Sequence, residues 1–416
     1  LGKSGVAAAG LLSRLGARVS VTEKRSKAAC LPWVRELPTG TDGEFGTHHF
    51  IERSWDLVVA SPGVPSSVWS SARKRGIPVW GELELGFRIL SLAKRWPAWS
   101  AAITGTNGKT TTTALLGAIF RATGRQTVVA GNIGVPLCAV VNHIVPSTAL
   151  VLEVSSYQLE TTEAFRPSVA AVLNVTPDHL ERHQTMAAYA ATKFRIFQSQ
   201  QRGDSAILNR KDLWCRRFAP LARGKIHWFG DQLRGRWKEP RFLPGRHNVS
   251  NALAAVACAH AFGVRKGAIA QALATFRGVE HRLELAHTRR GVRFINDSKA
   301  TNVDSTRVAL DAFPKPLFVI LGGQDKGAPY TPLGPLLKKK AKSVFLIGEA
   351  SEKIERDLLG QVPLVRCETL ARAVDRAARA ALEGDVVLFS PACASFDQFE
   401  NYEHRGREFK RLVRGI

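Results

Sequence analysis

The run Ile103-Thr104-Gly105-Thr106-Asn107-Gly108-Lys109-Thr110-Thr111-Thr112 joins an apolar stretch to two glycines, a lysine and a string of hydroxyls. These are the parts needed to hold phosphate. Glycines let backbone N–H groups approach an anion, Lys109 adds a point charge, and the Thr110 hydroxyl suits a hard cation. Leu115, Leu116, Ile119 and Phe120 follow at helical spacing, so the segment reads as strand, glycine turn and helix. The loop is shorter than the common G-x-x-x-x-G-K pattern, because the position that would need the first glycine is Ile103.

Three further segments carry chemistry. Leu152-Glu153-Val154-Ser155-Ser156-Tyr157-Gln158 brings an acid to the end of an apolar run, and Asn174-Val175-Thr176-Pro177-Asp178-His179 brings a histidine to the end of another. Tyr189-Ala-Ala-Thr-Lys193 reads as helix. In an open parallel sheet, ligands bind beyond the carboxyl ends of the strands, so Glu153 and His179 are expected to converge on the Lys109 loop. Both residue types ligate divalent metals. Taken singly, Glu153 reads as well as a helix-capping acid and His179 as an ordinary histidine; beside a phosphate loop they read as a site.

The elements that must position these residues alternate along the chain. Apolar runs at 57–60, 101–104, 150–154, 170–175, 317–321, 343–347 and 386–390 are each followed by a Gly, Pro, Ser or Asp turn and separated by helical patterns. Boundaries at Lys94–Ser100 and near Gly278-Val279-Glu280 predict three domains, 1–93, 94–279 and 280–416. The first opens on Leu1-Gly2-Lys3-Ser4-Gly5, then a helix over 6–15 and a strand over 17–22 ending at Glu23, which reads as the later part of a β–turn–α–β unit whose first strand would precede Gly2. The Gly2–Gly5 turn alone reads equally as a ligand loop or a plain tight turn.

With 416 residues, 45% of them hydrophobic, the chain can bury several cores. No apolar run approaches the roughly 18 residues that span a bilayer, so no membrane insertion is expected. Six scattered cysteines without a C-x-x-C pair read as reduced thiols rather than a disulfide framework or zinc site. The net charge of +24 is spread mainly over dispersed arginines, with one dense run at Lys338-Lys339-Lys340. Without a zinc finger or basic–aromatic interleaving, it reads as solvated faces rather than specific nucleic-acid binding.

The Gly105–Thr112 loop resembles the ATP loop of the Mur ligase family, which activates a carboxylate with ATP and joins it to an amine. The resemblance extends through Leu243-Pro-Gly-Arg-His-Asn248-Val-Ser-Asn251, His281-Arg282, Asn296-Asp297-Ser298-Lys299-Ala300-Thr301-Asn302, Leu321-Gly-Gly-Gln-Asp-Lys326 and Ser390-Pro-Ala-Cys-Ala-Ser395-Phe396. It implies an α/β protein of three domains: a Rossmann-like UDP-binding domain, a central P-loop ATPase-like domain with a mostly parallel sheet, and a C-terminal Rossmann-like domain.

The resemblance also implies roles. Gly105, Thr106, Asn107, Gly108, Lys109, Thr110, Thr111, Asn251, Arg282 and Asp297 would bind ATP, with Asn251 toward the adenine, Arg282 toward the phosphates and Asp297 toward the ribose. Thr110, Glu153, His179 and Lys193 would organise Mg²⁺, with two metal sites expected. A bare ammonium at Lys193 would sit oddly there, and the family carries a CO₂-carbamylated lysine at the matching position. Lys109, Glu153, His179 and Lys193 are thus the candidate catalytic residues. Ser4, Glu23, Arg25, Asn132, Ser155, Gln158, Thr301, Lys326, Ser395 and Phe396 would contact substrates. The Asp297-Ser-Lys-Ala-Thr-Asn302 wording resembles the members that add D-glutamate to UDP-N-acetylmuramoyl-L-alanine in bacterial peptidoglycan synthesis. By the same resemblance the protein would be cytoplasmic and monomeric.

Overall fold

The structure is a computed structural model and describes residues 1–230, 245–313 and 316–416. The chain folds as two compact units. One holds the N-terminal and central blocks with Ser250–Ala274, and the other holds Thr275–Ile416 with the short stretch ending at Val249.

The first unit begins with the helix Lys3–Arg14, which ends at the turn before Gly16. Four short strands follow: β1 (Ser20–Glu23), β2 (Asp42–Phe45), β3 (Val58–Ala60) and β4 (Val79–Gly81). They form two separate two-stranded parallel sheets, β1–β2 and β3–β4. Between β1 and β3 lies a cavity of about 500 Å³, lined by the 19–22 and 57–61 segments, by Ala8 and Leu12 of the helix, and by Glu82. Glu82 is buried. Its Oε1 accepts the Cys138 N–H, its Oε2 has no hydrogen-bond partner among the described residues, and burial pushes its carboxyl up to about 7.

The central sheet comprises β5 (Trp99–Thr104), β6 (Thr127–Gly131), β7 (Ala149–Glu153), β8 (Val169–Val172), β9 (Ser205–Asn209) and β10 (Lys225–Phe229). Its order is β10-β9-β8-β5-β7-β6 with every pairing parallel. β7 and β8 are buried throughout, as continuous apolar strands covered on both faces should be. From β5 the chain builds outward to β7 and β6 on one side and to β8 on the other. The sheet therefore reverses direction at β5, the place where open α/β sheets bind ligands.

The expected strand over 170–175 stops at Val172. The reason is local: Asn174 leaves the ladder, and its carbonyl accepts from the Thr106 N–H at 2.9 Å. One core joins the N-terminal helix residues Ala8 and Leu11 and the following Leu83 and Leu85 to Leu137, Leu150 and Leu152 of the central block. That shared packing is why the blocks expected at 1–93 and 94–279 form one compact unit.

The second unit carries β11 (Glu284–Arg289), β12 (Val292–Asn296), β13 (Leu317–Gly322), β14 (Ala341–Ile347), β15 (Leu364–Glu368) and β16 (Val386–Phe389), ordered β11-β12-β16-β13-β14-β15. Within this sheet only β11 runs antiparallel, joined to β12 by a hairpin whose Arg290 and Gly291 both have positive φ, +47° and +74°. A two-residue turn of this kind matches the right-handed twist of the flanking strands. The lysine run ends the helix Gly334–Lys340 on its basic side, favourable at a helix C-terminus. All six cysteines are free and buried. Among the described residues no helix is long and apolar enough to cross a membrane.

Candidate active site

At the C-terminal end of β5 the backbone turns through Gly105 (φ +154°) and Gly108 (φ +86°) into the helix Lys109–Arg121. A Cβ at Gly108 would stand 2.0 Å from Asn251 Oδ1, so a side chain there would displace Asn251 as well as strain the left-handed backbone. Asn251 thus reaches the phosphate loop itself, and its carbonyl accepts from Thr112 Oγ1 at 3.4 Å. Leu243 and Pro244, which open the segment leading to Asn251, lie outside the described residues.

The loop is held by a residue to which the sequence reading gave no role. The Asn174 side chain accepts the Asn107 N–H at 2.8 Å and donates to the Asn107 carbonyl at 3.0 Å, completing a clamp with its own backbone carbonyl on Thr106. Thr106 Oγ1 in turn donates to the Thr176 carbonyl at 3.2 Å and lies 3.3 Å from the Tyr189 hydroxyl. The signal was an asparagine just past a strand end, but its partner could not be seen without the register of β5 and β8. Lys109 Nζ donates to the Gly105 and Thr106 carbonyls at 2.9 and 2.8 Å, folded back along the loop. Thr110 and Thr111 are buried in the first turn of the helix.

β7 pairs with β5 so that Glu153 lies beside Ile103, next to the loop. Its Oε1 accepts from Asn132 Nδ2 at 2.8 Å, while Oε2 is buried without a hydrogen-bond partner among the described residues. Gly131 (φ +104°) allows that approach, since a Cβ would stand 2.3 Å from the Glu153 carbonyl. Lys193 is 1% exposed. Its Nζ donates to the Gly105 carbonyl at 3.0 Å and sits 4.4 Å from the Tyr189 ring centre. Burial, with the Lys109 charge adding to it and Asp178 opposing, holds its ammonium well below the ordinary lysine range.

His179, in the left-handed region (φ +53°), caps the helix Leu180–His183, and its Nδ1 lies 3.0 Å from the Tyr157 hydroxyl. Among the described residues no three His, Cys, Asp or Glu side chains converge as a metal cluster. The expected set differs in kind, since it draws on Thr110 and Lys193. A buried carboxylate oxygen without a partner, beside a hydroxyl-bearing phosphate loop, is the hard-oxygen environment that Mg²⁺ takes. The residues present fit that ion.

The expected substrate contacts fall in several places. Ser4 borders the cavity between β1 and β3. Glu23 and Arg25 pair with each other, through Arg25 Nε at 3.1 Å and Nη2 at 3.0 Å. Ser155 and Gln158 close a capping box on the helix Ser156–Leu159, and Gln158 is buried.

In the second unit, Arg282 and Asp297 border one small cavity with His247 and Lys299. Asp297 is pushed up to about 7 by burial, against the Ser390 hydroxyl at 2.7 Å, the Arg282 charge and the Leu283 N–H. Lys326 is exposed, and partial desolvation still lowers its ammonium, with Cys393 opposing the effect and the Arg405 charge adding to it. Ser395 is buried, whereas Phe396 is 68% exposed, so the expected serine–aromatic pair does not share one environment. Thr301 is half-buried, its N–H donating to the Lys299 carbonyl at 2.9 Å.

Taken together, a phosphate loop at a sheet reversal, a buried acid and a buried lysine behind the loop define an α/β nucleotide-using enzyme. Comparison with known proteins narrows the class. Residues 103–232 match the Mur ligase middle domain, and residues 281–393 match the Mur ligase, glutamate ligase domain. UDP-N-acetylmuramoylalanine--D-glutamate ligase of Koribacter versatilis is 46% identical, covering 100% of this chain and 96% of the relative. The enzyme of the same name from Anaeromyxobacter dehalogenans is also 46% identical, covering 99% and 96%. Among solved structures, UDP-N-acetylmuramate-alanine ligase MurC of Thermotoga maritima superposes with a TM-score of 0.61 at 20% identity, covering 100% of this chain and 97% of that one. The MurF ligase of the same organism, in complex with ADP, gives 0.63 at 18%, covering 87% and 96%. This chain belongs to the Mur ligase family.

Proposed function

We propose that this protein joins D-glutamate to UDP-N-acetylmuramoyl-L-alanine using ATP, in the cytoplasmic synthesis of the peptidoglycan precursor. The observation that carries the reading is the 46% identity, over essentially the whole chain, to relatives named for that reaction. In it, the alanyl carboxylate takes the γ-phosphoryl group of ATP to give an acyl phosphate. The D-glutamate amine then attacks the acyl carbon and phosphate leaves.

The chain's own groups suit these steps. Loop N–H groups and Lys109 bind and orient the phosphates, so that two anions can meet without full repulsion. Glu153, Thr110, His179 and Lys193 would hold magnesium, which when bound supplies the positive charge that offsets the phosphate oxygens. Burial lowers the Lys193 ammonium well below the ordinary lysine range, which favours loss of the proton and so the neutral amine that adds to CO₂: the nitrogen lone pair forms the N–C bond as a C=O π pair moves to oxygen, a proton leaves nitrogen, and a carbamate anion results. That anion replaces a misplaced cation with two hard oxygens. In the second unit, Lys326, Ser395 and Thr301 would receive the D-glutamate carboxylates, a compact cation and hydroxyls suiting a small dianion.

The test is ADP release from the purified protein with UDP-N-acetylmuramoyl-L-alanine and each candidate amino acid. Turnover with D-glutamate alone is expected. Preference for diaminopimelate or L-alanine would move the chain to another member of the family, and no amino-acid-dependent turnover would overturn the reading.

A further inference from the structure

Tyr157 stands in the first turn of the helix Ser156–Leu159, whose start is fixed by the Ser155–Gln158 capping box. Its hydroxyl lies 3.0 Å from His179 Nδ1, with the two rings 5.0 Å apart and tilted by 52°. The phenol is itself held. The Arg182 guanidinium sits 4.7 Å from the Tyr157 ring centre. Arg182 is tied to Glu160 by Nε at 3.0 Å and Nη2 at 2.6 Å, and donates to the Val64 carbonyl at 2.9 Å. On the other side, the His179 N–H donates to Asp178 Oδ1 at 3.0 Å, and the residue holds an unusual left-handed backbone.

An imidazole has two nitrogens, and the hydrogen bond made by one decides what the other can offer. At His179 the two edges differ. Nδ1 has the phenol within hydrogen-bond distance, with Glu181 Oε1 beyond it at 3.6 Å. Nε2 faces Asp178 Oδ2, at 3.5 Å.

We propose that Tyr157 is a positioning residue for His179: its hydroxyl oxygen accepts the Nδ1–H, locks ring and tautomer, and leaves the Nε2 lone pair as the edge presented to a divalent metal. A phenylalanine would keep the ring packing and lose this entirely, so the hydroxyl is the informative atom. The proposal rests on the reading of His179 as a site residue. Its first readout therefore uses no turnover.

With ¹⁵N-histidine label and no nucleotide or metal added, His179 should show a single tautomer with the proton on Nδ1. In Tyr157→Phe it should become a mixture, with the thermal midpoint little changed. Titrated with Mg²⁺ alone, the variant should need about tenfold more metal to reach half-saturation. In the ligase assay kcat at fixed Mg²⁺ should fall by a similar factor, with the D-glutamate KM unchanged. A tautomer mixture in the wild-type spectrum would overturn the proposal, whether or not the variant folds. So would a Tyr157→Phe protein with wild-type histidine signals and an unshifted Mg²⁺ midpoint. If the protein proved not to be a ligase, the spectrum would still decide the hydrogen bond.

Discussion

Lys193 is a cation placed where a cation holds its proton poorly, behind the phosphate loop with a carbonyl as a hydrogen-bond partner. If it carries a carbamate, Lys193→Ala should lose about a hundredfold or more in ADP release, and short carboxylates in the buffer should restore part of it. Lys193→Arg should be inactive and resist rescue, because arginine keeps its charge and fills the space. A fully active arginine variant would show that a carbamate is not needed. At the loop, Lys109→Ala should abolish turnover while leaving the thermal midpoint nearly unchanged, since its amine bonds to loop carbonyls rather than to the core. In the second unit, Lys326→Ala should chiefly raise the D-glutamate KM, the loss of one charged contact costing about 2–5 kcal/mol. An unchanged KM would place the amino acid elsewhere. Placements carried by strong local patterns were legible from sequence alone: Lys109 opens a helix after a glycine turn, and Glu153 ends a strand. Asn174 and Tyr157 were not, because their meaning lies in partners 67 and 22 residues away. Ser155-x-x-Gln158 did carry a signal, the capping-box spacing, which a reading for substrate contacts passed over.

At the scale of elements, the strand–loop–helix around Gly108 is over-determined. Positive φ, the Asn251 side chain and the Asn174 clamp all fix one loop shape. Gly108→Ala should therefore cost about 1–3 kcal/mol from backbone strain, before any displacement of Asn251. It should weaken ATP binding more than it lowers the thermal midpoint, measured by nucleotide titration and a melting scan. The strands legible in the sequence were the buried ones, such as β5, β7 and β13, whose residues are apolar nearly throughout. β10 was missed: it is an edge strand reading Lys-Ile-His-Trp-Phe, exposed at its start and only partly buried until Phe229. β15 was missed for the same reason, with Arg366 and Glu368 turned to solvent at the sheet edge. Edge strands alternate polar and apolar residues, and short alternations of that kind resemble loops.

At the scale of the whole molecule, the α/β class and the order of its blocks followed from alternation along the chain, while the way the first two blocks share a core did not. Periodicity assigns residues to faces; it does not say that Ala8 and Leu11 will meet Leu137. The net charge of +24 is an excess of lysine and arginine over acids, and other arginines sit in local surface pairs such as Arg372–Glu368 and Arg379–Asp375 that add nothing to it. Exposed pairs of this kind contribute little individually and are screened by salt. Ligase turnover should accordingly depend only weakly on moderate ionic strength, and a steep loss between low and physiological salt would point to a role for the basic surface.

The short sheets beside the cavity between β1 and β3 differ from the central sheet in how they should come apart. Among the described residues β1–β2 and β3–β4 are separate two-stranded ladders, of four and three residue pairs. The central sheet, by contrast, is one continuous ladder of six strands. Opening should then be sequential: in native-state hydrogen exchange, amides of β1 to β4 should exchange through a lower free-energy opening than those of β5 and β7. Glu82, at the wall of that cavity, makes the opening sensitive to pH. Its carboxyl is raised from 4.5 to about 7, so the folded form keeps a proton that the unfolded chain has lost. Stability should fall as pH rises between those values, by up to about 3 kcal/mol. Glu82→Gln, which can still accept the Cys138 N–H, should flatten that slope, as thermal midpoints from pH 5 to 8 would show.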